Sequence, residues 1–183
     1  MSKFMKRMLS ALIAVVMLTA MMMPQAVSAS STESKTSVFY YQRDAKWGYG
    51  RAGYSACYLS SFAMILTNMS HENATPADVY RVNNYSSYMI QSRITNKYDV
   101  DWTRISVYGK SKDYKIELVK ELLEENPQGV IVRNSGHTMI ATRVTKKGNI
   151  IFNDPAYPDG YTLFMSQTQL NNWGAISYIE TIQ

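Results

Sequence analysis

Cys57 is the only cysteine in this chain of 183 residues, so no intrachain disulfide can staple the fold and the core has to be held by packing alone. The constraint is sharp because the N-terminus reads as an export signal. Lys3, Lys6 and Arg7 precede an uncharged apolar run over 9–23, followed by Pro24 and the small-residue pattern Val27-Ser28-Ala29. That is the layout of a secretory signal peptide over 1–29, cleaved after Ala29. Its apolar run is shorter than the roughly 20 residues a membrane helix needs, which speaks against an uncleaved anchor. No later segment is apolar enough to span a bilayer, and no cysteine follows Ala29 to carry a lipid. The mature chain is therefore expected outside the cell, with no stable membrane insertion. Thiols in that compartment usually pair. An unpaired one needs another explanation, and a reactive nucleophile heads the list.

Removal of the signal leaves roughly 150 residues, enough for one domain with a buried core. It also takes three cations away, so the 19 Lys+Arg of the whole chain become 16 against 14 Asp+Glu, close to balance. Nucleic-acid binding then has no charge footprint, and the local pair Lys146-Lys147 reads as a solvated turn. Two histidines and one cysteine, far apart and without ligand spacing, make no metal site, and no glycine-rich loop suggests a nucleotide. No cofactor is expected. The 14 tyrosines read mainly as packing and loop residues whose hydroxyls reach water.

Residues 30–37 are Ser, Thr, Glu and Lys and read as a mobile leader. The folded domain is expected over 38–183, opening with Val38-Phe39-Tyr40-Tyr41, which has strand composition. Gly48, Gly50 and Gly53, with tyrosines between them, make a loop that leads into Cys57. Over 57–69, Leu59, Phe62, Ala63, Leu66 and Met69 recur at helical spacing and predict a helix buried along that stripe. Cys57 falls at its N-terminus, behind Ser55 and Ala56, where unpaired N–H groups and the positive end of the dipole stabilise a thiolate. The competing reading is an inert thiol packed as a small hydrophobe.

A thiolate needs a base, and the chain offers His71 and His137. His71 stands in the polar stretch Ser70-His71-Glu72-Asn73, a solvated loop after the helix. His137 begins a strand-like stretch over 137–144, behind Gly136, whose missing side chain would let another group approach closely. The turn Lys146-Lys147-Gly148-Asn149 leads into a second strand over 150–153 that ends at Asp154-Pro155. In such a hairpin His137 and Asp154 lie at the same end. A two-residue turn puts both on one face, and a three-residue turn reverses that parity. Asp154 could then orient the His137 ring and stabilise its charged form, leaving the other ring nitrogen for the thiol. Asp154 also reads as an ordinary turn residue before proline. Gln42, upstream of the helix, is a candidate donor for the oxyanion formed on an attacked carbonyl, paired with the Cys57 backbone N–H.

Gln42-Arg-Asp44-Ala-Lys-Trp47, then Cys57 opening a helix, then Gly136-His137, then Asn153-Asp154-Pro155 on a hairpin is an order that resembles the papain-like cysteine peptidases. Within them it looks most like the bacterial double-glycine leader-peptidase-like group, whose secreted members are stand-alone domains of this size. The likeness runs over nearly all the mature chain and includes the helix signal from Thr75-Pro76 to Asn83, with a threonine cap and proline in the first turn. The resemblance implies that Cys57 is the nucleophile, His137 the general base, Asp154 the orienting acid and Gln42 the oxyanion donor, with Asp44 and Trp47 structural. The chain departs from the group at Ala56-Cys57-Tyr58-Leu59, where Gly-Cys-Gly-Pro is usual, and this brings the bulk of Tyr58 beside the sulfur.

Residues 84–112 are polar and tyrosine-rich and are expected to cover the helical side and one wall of the cleft, with 101–105 as the start of a short helix. An amphipathic helix follows over 115–125, with Ile116, Val119, Leu122 and Leu123 inward. Asn126-Pro127-Gln128-Gly129 ends it before a strand over 130–132. A short helix near 166–171 and a last strand over 175–179 complete the chain. Helices early and strands late make an α+β domain, with the N-terminal catalytic helix packed against an antiparallel sheet. The resemblance implies that this is the papain-like fold. The expected activity is that of a secreted cysteine peptidase or related amide hydrolase working through a thioester, with a peptide or protein substrate as its partner. The same triad serves acyl or peptidyl transfer, including cell-wall peptide cleavage, and a papain-fold binding module without turnover is the non-enzymatic alternative. Nothing in the residues specifies an oligomeric state.

Overall fold

The computed structural model describes residues 38–50, 56–72, 74–86, 88–158, 162–165 and 175–183, with 162–165 described by their backbone. The expected signal peptide over 1–29, the expected leader over 30–37, residues 51–55 before Cys57 and the short helix expected near 166–171 lie outside the described residues.

Residues 38–41 do not form the strand their composition suggested. Side chains satisfy them instead: the Val38 N–H donates to Asn68 Oδ1 (3.0 Å), and the Tyr40 and Thr67 hydroxyls share a bond (3.1 Å). Their aromatic bulk reflects half-burial against a helix, not ladder pairing. Asp44 then caps a single 3-10 turn, Ala45–Trp47, by accepting the Lys46 N–H (3.1 Å), while Trp47 Nε1 donates to the Tyr41 carbonyl (2.8 Å).

Helix α1, Cys57–Asn68, occupies the predicted span, and Met69 caps it. It stops where Ser70 turns left-handed (φ 74°), with the His71 N–H closing on the Leu66 carbonyl (3.0 Å) and the Ser70 N–H on Thr67 (2.9 Å). Every residue from 57 to 66 is buried, so the inward stripe is only part of what α1 hides. Helix α2, Pro76–Val82, starts as its cap and proline predict, with Thr75 Oγ1 accepting the Asp78 N–H (3.3 Å). Helix α3, Gln91–Tyr98, has only Ile94 and Tyr98 buried, too few apolar positions for a periodic signal, and was not foreseen. Its start is set from a distance, by Asn83 Oδ1 accepting the Ile90 N–H (2.7 Å).

Strand β1, Trp102–Ser106, replaces the short helix expected over 101–105. Trp, Thr and Ile favour a pleated surface once a partner strand is present. Helix α4, Lys112–Glu125, is capped by Ser111, whose Oγ accepts the Tyr114 N–H (3.2 Å). Ile116, Val119 and Leu123 are buried on it, and Leu122 is partly so. Strands β2 (Val130–Arg133), β3 (Thr138–Val144), β4 (Ile150–Asn153), β5 (Thr162–Met165) and β6 (Tyr178–Ile182) follow. β6 starts three residues later than expected. Its span is set by ladders to distant strands, Trp102 opposite Ile182 and Ile131 opposite Glu180.

The strands form one sheet in the order β1-β6-β2-β3-β4-β5, with every neighbouring pair antiparallel. Together with four α-helices among the described residues, this is an α+β architecture. One face of the sheet presents Ile131, Ile140 and Ile182 to α1, with α2 and α3 outside it through Val79, Ile94 and Tyr98. The other face presents Val132, Met139, Ala141, Phe152 and Ile179 to α4. No helix among the described residues is long and apolar enough to cross a membrane.

Candidate active site

The β3–β4 connection sets the geometry of the site. Five residues, 145–149, join the strands, with Val144 opposite Ile150. Carried on unbroken, that register would set Asp154 opposite Ile140 and turn it to the side away from His137. Thr142 reverses this. Ala141 pairs with Phe152 and Arg143 with Ile151, so Thr142 is an extra residue in β3, a bulge that shifts the register by one. Its hydroxyl donates to the Ile151 carbonyl (3.2 Å) and holds it there. Beyond the bulge His137 and Asp154 fall on one side of the ribbon, and His137 Nε2 lies 2.7 Å from Asp154 Oδ1.

The backbone of His137 is held by the tight β2–β3 turn. Asn134 Oδ1 accepts the N–H groups of Gly136 (2.8 Å) and His137 (2.6 Å), and the Asn134 N–H returns a bond to the His137 carbonyl (3.0 Å). Gly136 does not serve a close approach, as had been expected. A Cβ there would meet nothing nearer than Asn134 Oδ1 at 3.9 Å.

Cys57 opens α1 directly over the start of β3. Its sulfur lies beside the His137 ring and the N–H and hydroxyl of Thr138, close enough for each to favour the thiolate. Asp154 occupies Nε2, which leaves Nδ1 as the ring nitrogen for the sulfur. One turn along the helix, Ser61 Oγ donates to the Thr138 carbonyl (3.5 Å) and ties α1 to the same residue. Asp154 Oδ1 also accepts the Ala156 N–H (2.9 Å), and the Gln42 N–H donates to the Pro155 carbonyl (2.9 Å). Gln42 is thereby fixed, buried, beside the acid.

Burial pushes the Cys57 thiol up, but the hydrogen bond and charge of His137, with the Thr138 donors, outweigh it and bring the thiol below its ordinary value. For His137, burial works against the charged ring. The hydrogen bonds to Asp154 and Cys57 and their charges prevail and raise it to about 9. At neutral pH His137 is therefore charged, and its charge favours ionisation of the Cys57 thiol. The N-cap, Ala56, has no side chain to cap the first N–H groups of α1.

Tyr58 does not crowd the sulfur as the sequence suggested. Its hydroxyl donates to Glu180 and accepts from Arg104 (3.0 Å), so the ring is buried against the sheet. Burial and the Glu180 carboxylate hold its proton well above the usual phenol range. His71 lies past the far end of α1, about 18 Å along the helix from Cys57 at 1.5 Å per residue, with its ring edge-on to Tyr98.

Thr138, Ser61, Asn134 and Thr142 were not singled out from the sequence. Ser61, four residues after Cys57 on a helix, and Asn134, two before a glycine, carried recognisable signals. Thr138 and Thr142 carried none, because their roles need a partner strand. Among the described residues no group of three His, Cys, Asp or Glu converges to hold a metal ion. Compared with protein-family models and with curated proteins, the chain matches none.

Proposed function

We propose that the chain is a secreted, papain-like cysteine peptidase or a closely related amide hydrolase, with Cys57 as nucleophile. The observation that best supports this reading is the convergence of three groups: Asp154 bonded to the His137 ring (2.7 Å), that ring acting on the Cys57 sulfur, and the sulfur at the N-terminus of a buried helix. The thiolate attacks the substrate's amide carbon, and the Cys57 N–H and the Gln42 side-chain amide hold the oxyanion that forms. His137, charged at neutral pH, gives its Nδ1 proton to the leaving amine as the C–N bond breaks, leaving a thioester. Water then attacks the thioester and passes a proton to neutral His137. The C–S bond breaks, the acid departs and the ion pair is restored. Asp154 accepts from Nε2 throughout and keeps the ring oriented.

Peptide-library cleavage read by mass spectrometry, with wild type, Cys57→Ala and His137→Ala, tests the reading. Cleavage that depends on Cys57 is expected, with kcat/KM lowered about 10²–10⁴-fold in His137→Ala and slower iodoacetamide labelling of the thiol. Identical profiles for wild type and Cys57→Ala would refute it.

A further inference from the structure

The triad leaves one group of charges beside it unused. Glu180 on β6 is wholly buried, and its carboxylate is fully engaged: Oε2 accepts from the Tyr58 hydroxyl and Trp102 Nε1 (2.9 Å), and Oε1 from Arg104 Nε (2.9 Å). Arg133 on β2 stands 3.9 Å from Oε1, beyond hydrogen-bond distance, with its guanidinium over the Tyr58 ring, 4.5 Å from the centroid. Among the described residues, two guanidinium groups therefore meet a single carboxylate. One positive charge is left over, and it faces solvent, because the Arg104 and Arg133 side chains are 42% and 30% exposed.

Its position relative to the sulfur gives this surplus a use. Arg133 is directly opposite Thr138 in the β2–β3 ladder, and Thr138 lies beside the Cys57 thiol and favours its ionisation. Tyr58, beneath the Arg133 guanidinium, is the residue after Cys57. In the strand order β2-β3-β4, Arg133 flanks the thiol on the side away from Asp154. Tyr178, opposite Arg133 on β6 and half-exposed, walls the outer side, with the two guanidinium groups 5.5 and 6.0 Å from its ring. A guanidinium stacked on aromatic rings keeps its planar fork of donors oriented and loses little entropy when a carboxylate docks.

Resting on the reading of Cys57 as a peptidase nucleophile, we propose that Arg133 and Arg104 form a carboxylate-recognising subsite beside the thiol. Preferred substrates then carry a carboxylate, on an acidic side chain or at the chain end, within a few residues of the cleaved bond. The arginines act on specificity and take no part in bond breaking.

Matched internally quenched peptides test this. They differ only in Glu, Gln or Lys at each position flanking the cleaved bond, each with an amidated or a free chain end, and are assayed with the full chain and with Arg133→Gln, Arg133→Lys and Arg104→Gln. At one position, or at the chain end, the carboxylate form is expected to exceed its neutral partner in kcat/KM by about tenfold or more, the worth of one charged hydrogen bond. Raised salt should shrink that ratio. Arg133→Gln should bring it close to one without slowing iodoacetamide alkylation of Cys57, and Arg133→Lys should keep part of it. Preference that tracks the free chain end assigns the carboxylate there, and preference that tracks Glu assigns it to a side chain. Cys57-dependent cleavage with equal rates for Glu, Gln and both chain ends overturns the subsite and leaves the peptidase reading standing, as does a preference that survives Arg133→Gln. Slow alkylation of Cys57 with no set cleaved overturns both.

Discussion

The pKa of His137 is shifted up and that of Cys57 down by partners that together outweigh burial, which ties the pH dependence to named residues. On the proposed mechanism, the working pair exists above the lowered Cys57 pKa and is lost as pH rises through about 9, where His137 gives up the proton it would pass to the leaving amine. Hydrolysis should therefore follow a bell-shaped profile, and Asp154→Ala should move its alkaline limb to lower pH, because the carboxylate is the strongest partner holding the proton on the ring. A kcat/KM profile with that limb unmoved would count against Asp154 as the orienting acid. Thr138→Val keeps the N–H but removes the hydroxyl from the sulfur. The thiol should then ionise at higher pH, seen as an upward shift of the acid limb for iodoacetamide alkylation. At this scale residue chemistry named Cys57, His137 and Asp154, which the structure brings together, and Gln42, whose backbone it ties to Pro155 beside the acid. It could not point to Thr138, since an ordinary strand threonine acquires its role only when a helix begins above it.

Elements were legible where their determinants are local. The caps at Thr75 and Ser111 sit within one turn of the helices they start, and the periodic face of α1 lies within its own span. β1 and β6 were misread, one as a helix start and one three residues early, because each takes its span from the other across most of the chain. The bulge at Thr142 was illegible for the same reason. Its place follows from β4, and it corrects the parity of a five-residue connection that would otherwise part His137 from Asp154. Deleting Thr142 removes the bulge and shortens the chain together, so the pairs on either side survive and the ladder becomes regular. Cys57-dependent hydrolysis should persist in this deletion, within about tenfold of wild type. Deleting Met139, between the bulge and His137, should turn the ring to the opposite side of the ribbon and abolish hydrolysis in protein whose circular dichroism is native.

In the whole molecule, α1 is trapped between the sheet and the outer helices, and its N-terminus is pinned to the sheet at Thr138 and at Glu180 through Tyr58. Tyr58→Phe would leave the buried Glu180 carboxylate short of a donor. The expected cost is about 1–3 kcal/mol in urea unfolding, and unchanged stability would show that Arg104 and Trp102 suffice alone. From the amino acids alone came a chain with no disulfide to staple it, a buried helix opening on its one thiol, and a late hairpin carrying a histidine and an acid at the same end. These depend on composition, short spacings and alternation, which a single segment contains in full. The tertiary structure decided that β6 enters the sheet between β1 and β2, that Thr142 restores the parity of the hairpin, that Tyr58 turns to Glu180 and away from the sulfur, and that two arginines face the solvent beside the thiol. Each of these is a contact between groups far apart in the chain, and a strand's register or a buried charge's partner is chosen only when the rest of the core has closed around it.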